Sequence, residues 1–218
     1  MPNWVTNDIT ITGDVTIIDA IRVQLAAPHE TRSHVLNHDT RAMEWETSTS
    51  ESVFSFWNIT APTNLDEYYT NRSQLHTSDN WYNWNCGHWG TKWNARRPRR
   101  GETTINPTTG LAEITYTFDT AWSPPDAALH TLSTQHPSVV ITNRWVEEQG
   151  FGALEEYHGG EVNLIDEWDI PASHVEETYA HNGYCWRCEI ADPDMLHPDC
   201  PRPTTDTTTD GATEGVRS

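Results

Sequence analysis

Apolar and polar positions alternate at the start of the chain. Val5, Ile9 and Ile11 lie among Thr6, Asn7, Asp8, Thr10 and Thr12, until Gly13-Asp14 interrupts the pattern. A period of two predicts a half-buried strand. The period then changes: Ile17, Ile18, Ile21 and Leu25 recur at helical spacing, with Asp14 placed to cap the helix Val15 to Leu25. Residues 26–50 lose any apolar period and read as a polar connection. Val53, Phe54, Phe56, Trp57 and Ile59 predict a second strand, closed by Pro62.

Further along, Thr77 to Cys86 carries Trp81 and Trp84 and predicts a helix, with Ser78 or Asp79 as its cap and Gly87 as its stop. Trp89 to Ala95 reads as a short strand or extended segment. Leu111 to Thr120 alternates, with Ile114, Tyr116 and Phe118 on one face. Ser123-Pro124-Pro125-Asp126 opens a helix through Gln135, because proline is tolerated in a first turn. Ser138 to Glu147 is a further strand. Phe151 to Tyr157 and Val162 to Trp168 flank Gly159-Gly160, a strong hairpin signal. Ala172 to Ala180 predicts a short helix. The order of elements implies an α+β fold, an antiparallel or mixed sheet with helices on one face. No internal repeat is visible.

Three divisions are expected: residues 1–170 as the α+β domain, 171–201 as a cysteine-bearing extension, and 202–218 as a disordered tail. The tail, RPTTDTTTDGATEGVRS from Arg202 onward, has no apolar face to bury.

Composition narrows the class. The 218 residues are 35% hydrophobic, yet eleven Trp supply large apolar surfaces, which wholesale disorder would lack. No run approaches the ~20 apolar residues of a membrane span. The opening MPNWVTNDIT has neither a basic start nor an apolar run, so the expected location is the cytoplasm, that of the host cell if a phage encodes the chain.

Charge is lopsided. Thirteen basic against thirty-two acidic residues give a net charge of −19, and Lys92 is the single lysine. Such a charge keeps a chain soluble and repels nucleic acid at long range. It fits a lineage-wide surface bias, including a high-salt cytoplasm, as well as a functional acidic face. Basic residues concentrate in one place: Lys92, Arg96, Arg97, Arg99 and Arg100 fall within nine positions, directly after Trp81, Trp84, Trp89 and Trp93. Guanidinium forks beside indoles suit phosphates and unstacked bases. Pro98 and Gly101 read as marks of a surface loop, where the same arginines could equally pair with the protein's own carboxylates.

Four boxes carry a resemblance: MPNW-V-TNDITITG at the start, N-CGHWGTKWNA in the middle, then FDTAWSPP, then WVEEQGFG. Together, over roughly residues 1–168, they resemble the YubB ferredoxin-like domain family, also known as Api92-like proteins. The box here keeps Trp89-Gly90-Thr91-Lys92-Trp93 but has His88 before it. The resemblance implies a ferredoxin-like α+β sandwich without an iron–sulfur cluster. It also implies carriage by phages and plasmids, and no assigned catalytic activity. Fold alone does not transfer function. The boxes themselves read as packing devices. Trp89 and Trp93 would wedge a loop into the sheet around Gly90, and Trp122 would fill a strand-to-helix junction. Lys92 either points into a pocket and holds an anion or caps a strand end.

A metal site is expected further on. Cys185-Trp186-Arg187-Cys188 and His197-Pro198-Asp199-Cys200 give C-x2-C-x8-H-x2-C. Three thiolates and one imidazole suit a tetrahedral zinc ion, and four protein ligands make it structural. The segment has too few aliphatic residues to set by itself, so Zn2+ would organise it. A disulfide or redox-active C-x-x-C is the alternative. His174-Val175-Glu176 before Cys185 echoes a zinc deaminase pattern, but only eight residues separate Glu176 from Cys185, too few for a deaminase pocket. Cys86 stands apart as a buried small hydrophobe.

No HExxH, GxSxG, Walker glycine loop or GxGxxG occurs in the sequence. The first functional expectation is therefore a non-enzymatic accessory protein of a phage or other mobile element. It would bind a protein partner, in host modulation or counter-defence, and carry a zinc-stapled extension. The second is a nucleic-acid-binding protein using the Arg96–Arg100 loop. The third is an enzyme of unrecognised class. No membrane role is expected.

Overall fold

The computed structural model describes residues 3–39, 41–70 and 81–169. The short helix expected at 172–180, the zinc ligands Cys185, Cys188, His197 and Cys200, and the tail all lie outside these residues.

β1 (Trp4–Gly13) runs through the middle of the main sheet. Its odd-numbered residues Val5, Asn7, Ile9 and Ile11 are buried, as the alternation required. α1 (Val15–Leu25) follows, its first turn fixed by the Asp14 carboxylate accepting from the Thr16 N–H at 2.8 Å. It lays Ile18, Ile21 and Leu25 on the sheet. A long insertion comes next: β2 (His29–Leu36) paired with β3 (Met43–Ser50), the short 3-10 turn Phe56–Asn58, α2 (Leu65–Thr70) and α3 (Trp81–Trp89). The chain then re-enters the sheet as β4 (Arg96–Arg100), β5 (Thr104–Ile105) and β6 (Ala112–Ala121). It crosses back through α4 (Asp126–Gln135) and ends in β7 (Val140–Glu147), β8 (Gly152–His158) and β9 (Glu161–Trp168).

The main sheet is antiparallel, in the order β4-β6-β1-β7-β8-β9, with β5 also paired to β6. Without the insertion, β1-α1-β4-β6-α4-β7 is a βαββαβ unit whose strands lie in the spatial order second, third, first, fourth. This is the ferredoxin-like arrangement, extended at one edge by the β8–β9 hairpin. Gly159 and Gly160 take φ values of 59° and 84°, the left-handed pair a two-residue turn requires.

Several expectations need correction. Residues 26–50 are not a polar connection, because they hold the β2–β3 hairpin. The segment 53–59 is not a strand. Phe54, Phe56 and Ile59 plug the core from an irregular path, with Phe54 packed 4.6 Å from Phe118 and 5.1 Å from Tyr116. Gly87 does not stop a helix: α3 runs on to Trp89, and Gly90, at φ 83°, ends it. Trp89 closes α3, and residues 90–95 bend towards β4 instead of forming a strand. The Arg96–Arg100 stretch is an edge strand rather than a loop, with a register shift between Arg96 and Arg99 and a φ of 51° at Arg97. The irregularity brackets Pro98, which an edge strand tolerates because its missing N–H breaks no ladder bond.

Candidate functional site

The insertion brings aromatic residues together. Six of the eleven Trp lie between residues 45 and 93. Only Trp89 of the WGTKW box is fully inside, at 1% exposure, with its indole N–H donating to the Thr60 carbonyl at 3.0 Å. Trp93 is 37% exposed and Trp122 is 54% exposed, with a φ of 76°. Neither fills the interior as the sequence suggested. The box braces the loop in another way. The Thr91 hydroxyl donates to the Ala121 carbonyl at 2.9 Å and accepts from the Ala121 N–H at 3.2 Å. The Ser123 hydroxyl donates to the Gly90 carbonyl.

Trp93 anchors a row of alternating rings and cations on the surface. Its ring centroid lies 5.9 Å from that of Trp4. The Lys92 ammonium sits 4.7 Å from the Trp93 centroid and 5.8 Å from that of Tyr82. At the other end the Arg96 guanidinium carbon lies 4.3 Å over the Trp4 ring, with an ion pair to Asp119 at 3.3 Å. Ring quadrupoles hold such cations without neutralising them. Lys92 tops this row. Arg97, Arg99 and Arg100 continue the basic edge along β4. All three are exposed and make no side-chain hydrogen bond or ion pair among the described residues. Among the described residues, the self-pairing considered from sequence holds for Arg96, through Asp119.

The same Trp93 lines a cleft of about 240 Å³ with Trp57, Tyr68, Tyr69, Trp81 and Trp89. Arg32, between Thr31 and Ser33 of β2, borders it, as do Asn85 and Asn94. The rings of Trp57 and Tyr69 are 12° from parallel with centroids 6.5 Å apart. Trp57 also stacks with His29 at 5.8 Å. Burial lowers the His29 pKa, with a backbone contact to Ala27 opposing it, so this ring is neutral at pH 7. No sequence signal indicated this cleft. Trp57, Tyr69 and Trp81 are far apart in the chain, and β2 was not recognised as a strand.

Cys86 is half-buried rather than fully inside. Burial pushes its thiol pKa up, against the Tyr82 hydroxyl and the Lys92 ammonium, so it is no activated nucleophile. A second polar group lies at the start of α4. The Tyr157 hydroxyl is 2.8 Å from Glu155 Oε2 and 3.1 Å from Asp126 Oδ1, and the Trp145 indole N–H donates to Glu155 at 3.2 Å. Burial first, then the Glu155 charge, push the Asp126 carboxyl up to about 6, with the Tyr157 bond pulling the other way. Sequence could not reveal this pair, since α4 and β8 meet only through the fold. Among the described residues no three His, Cys, Asp or Glu side chains gather as a metal site. Among the same residues no helix is long and apolar enough to cross a membrane.

The topology and the one-sided helices define an α+β protein of the ferredoxin-like type. Residues 88–182 match the family model described as "Ferredoxin-like domain in Api92-like protein". The crystal structure of a protein api92 from Yersinia pseudotuberculosis superposes with a TM-score of 0.51 at 11% identity, covering 79% of this chain and 99% of that one. At that identity the likeness is one of fold. No curated protein matches the chain. Over residues 88–182 the chain is thus similar to the Api92-like ferredoxin-like domain that its sequence boxes resemble. The matched stretch holds β4 to β9, while β1, α1 and most of the aromatic insertion precede it.

Proposed function

We propose that this protein is a non-enzymatic binding protein whose partner is a single-stranded nucleic acid, held along β4 and the Tyr82–Lys92–Trp93–Trp4–Arg96 row. One observation carries the reading: Arg97, Arg99 and Arg100 are exposed and unpaired among the described residues, beside exposed indoles, on a chain of charge −19. On this ground we favour nucleic acid over the protein partner expected from the sequence.

The overall charge does not forbid it. At physiological salt the screening length is about 8 Å, so distant carboxylates are muted and the local patch governs contact. Arginine supplies forked donors to phosphate oxygens and the indoles supply stacking surfaces, the combination that single strands use. The structural zinc ion on Cys185, Cys188, His197 and Cys200 is retained as part of the proposal, a staple for the C-terminal extension. An accessory role on a phage or other mobile element fits the family resemblance and a binding protein without catalytic motifs.

Anisotropy of a short labelled poly-dT strand, titrated across salt, tests the reading. Affinity should fall with salt, and R97S/R99S/R100S should flatten the log–log slope by about 2, at roughly 0.7 per lost phosphate contact. Absence of binding at low salt, or a triple variant indistinguishable from wild type, would contradict it.

A further inference from the structure

We propose that the Trp57–Tyr69–Trp81 cleft takes one unstacked nucleobase by its faces, with little preference among bases. This deepens the single-strand reading and rests on it.

Continuity is the first argument. Trp93 both lines the cleft and stands in the cation–aromatic row, so the two share a side chain. Charge is the second. Among the described residues no carboxylate lines the cleft, and the one charged lining residue is Arg32, whose guanidinium is paired with Asp66. A cage for a cation would want the opposite, since cation sites gain from nearby negative charge. Size is the third. About 240 Å³ is smaller than the roughly 300–1,000 Å³ of sites for drug-sized ligands, so the cleft suits a single ring system.

The polar lining explains why the faces, not the edges, would be read. Asn85 accepts from the Tyr68 hydroxyl at 2.9 Å and donates to the Lys92 carbonyl at 2.8 Å. Asn94 accepts from the Phe56 and Ala95 N–H groups at 2.8 and 2.9 Å and donates to the Ser55 hydroxyl at 2.8 Å. The Arg32 guanidinium is engaged by Asp66, and the Arg32 N–H donates to the Tyr69 hydroxyl at 3.0 Å. Both side-chain amides are thus committed to holding the walls. What remains open is chiefly ring surface, with Ser33 at the rim, and the Trp57 and Tyr69 rings lie near parallel. Stacking of this kind tolerates any base, because every base has a π-face.

The test compares a dT strand with an abasic strand of the same length, which keeps the phosphates and lacks the bases. Wild type should prefer the dT strand by roughly 5- to 150-fold, and dA and dC strands should match dT within about threefold. Y69L and W81A should each remove most of that preference while leaving abasic affinity and its salt slope intact; Y69F, which keeps the ring, should retain it. R97S/R99S/R100S should weaken both strands together. Equal binding of dT and abasic strands by wild type would overturn the cleft assignment together with base stacking on the row, and leave only the phosphate contacts along β4 standing. Failure of both strands to bind would overturn the β4 reading itself. Displacement of the dT strand by millimolar tetramethylammonium would show a cation cage and also overturn the assignment.

Discussion

Gly90 has no room for a side chain because Asp126 is behind it: a Cβ there would lie 2.9 Å from the Asp126 backbone nitrogen. The same residue holds a φ of 83°, where side chains are strained. The end of α3 is therefore docked directly on the start of α4, and that contact fixes where Trp89 and Trp93 stand. G90A should destabilise the fold by about 2–4 kcal/mol, through backbone strain and overpacking together. G87A meets nothing within 4 Å and lies inside α3, so it should be neutral or stabilise by up to about 1 kcal/mol. Urea denaturation of the two variants makes the comparison.

Thr91 supplies the second brace. It is fully buried and satisfies both the N–H and the carbonyl of Ala121. T91V keeps the shape and removes both bonds, leaving buried backbone groups unpaired. The expected loss is about 1–3 kcal/mol, read as a lower urea midpoint with an unchanged slope.

Asp126 gives the fold a pH dependence of a definite sign. In the folded chain its carboxyl keeps its proton up to about pH 6, against an ordinary value of 3.8. Between those values the folded chain binds more protons than the unfolded one, so this group's contribution falls as pH rises through the window. Because Asp126 is exposed on its outer side, solvent screens the effect. D126N should flatten the fall, with the variant gaining on wild type from pH 4 towards pH 7 in thermal melts. A wild-type stability that rises across the window by the same amount in both proteins would contradict the assignment.

The zinc proposal has its own measurement. Protein purified without chelator should carry about one zinc ion per chain by elemental analysis, because a C-x2-C paired with H-x2-C closes one tetrahedral site. C185S or C200S should lower that content sharply. Metal-free protein with Cys185 and Cys188 oxidised would favour the redox alternative.

Where burial follows a short period, the sequence was a good guide. β1, β6 and β7 alternate because one face of each packs on helices, and α1 shows its stripe for the same reason. The β8–β9 hairpin was visible through Gly159-Gly160. β2 and β3 were invisible because HETRSHVL and MEWETSTS form a separate two-stranded ribbon with little buried surface, so nothing enforces alternation. Phe54, Phe56 and Ile59 imitated a strand because core plugs also cluster apolar residues. The basic stretch was legible as chemistry but not as an edge, since pairing of Arg99 with Thr117 is a property of the sheet. The cleft was out of reach for a plainer reason. Its walls come from 3-10, helical and strand segments that only tertiary packing assembles.

The central claim is that a single strand lies on β4 and the aromatic row, and resonance mapping of the tryptophan indoles tests it most directly. On adding a dT strand to the full chain, the indole signals of Trp4 and Trp93 should shift together and saturate. Those of Trp145 and Trp168, which belong to β7 and β9 across the sheet, should stay in place. Shifts confined to Trp145 and Trp168, or none at saturating strand, would contradict the account.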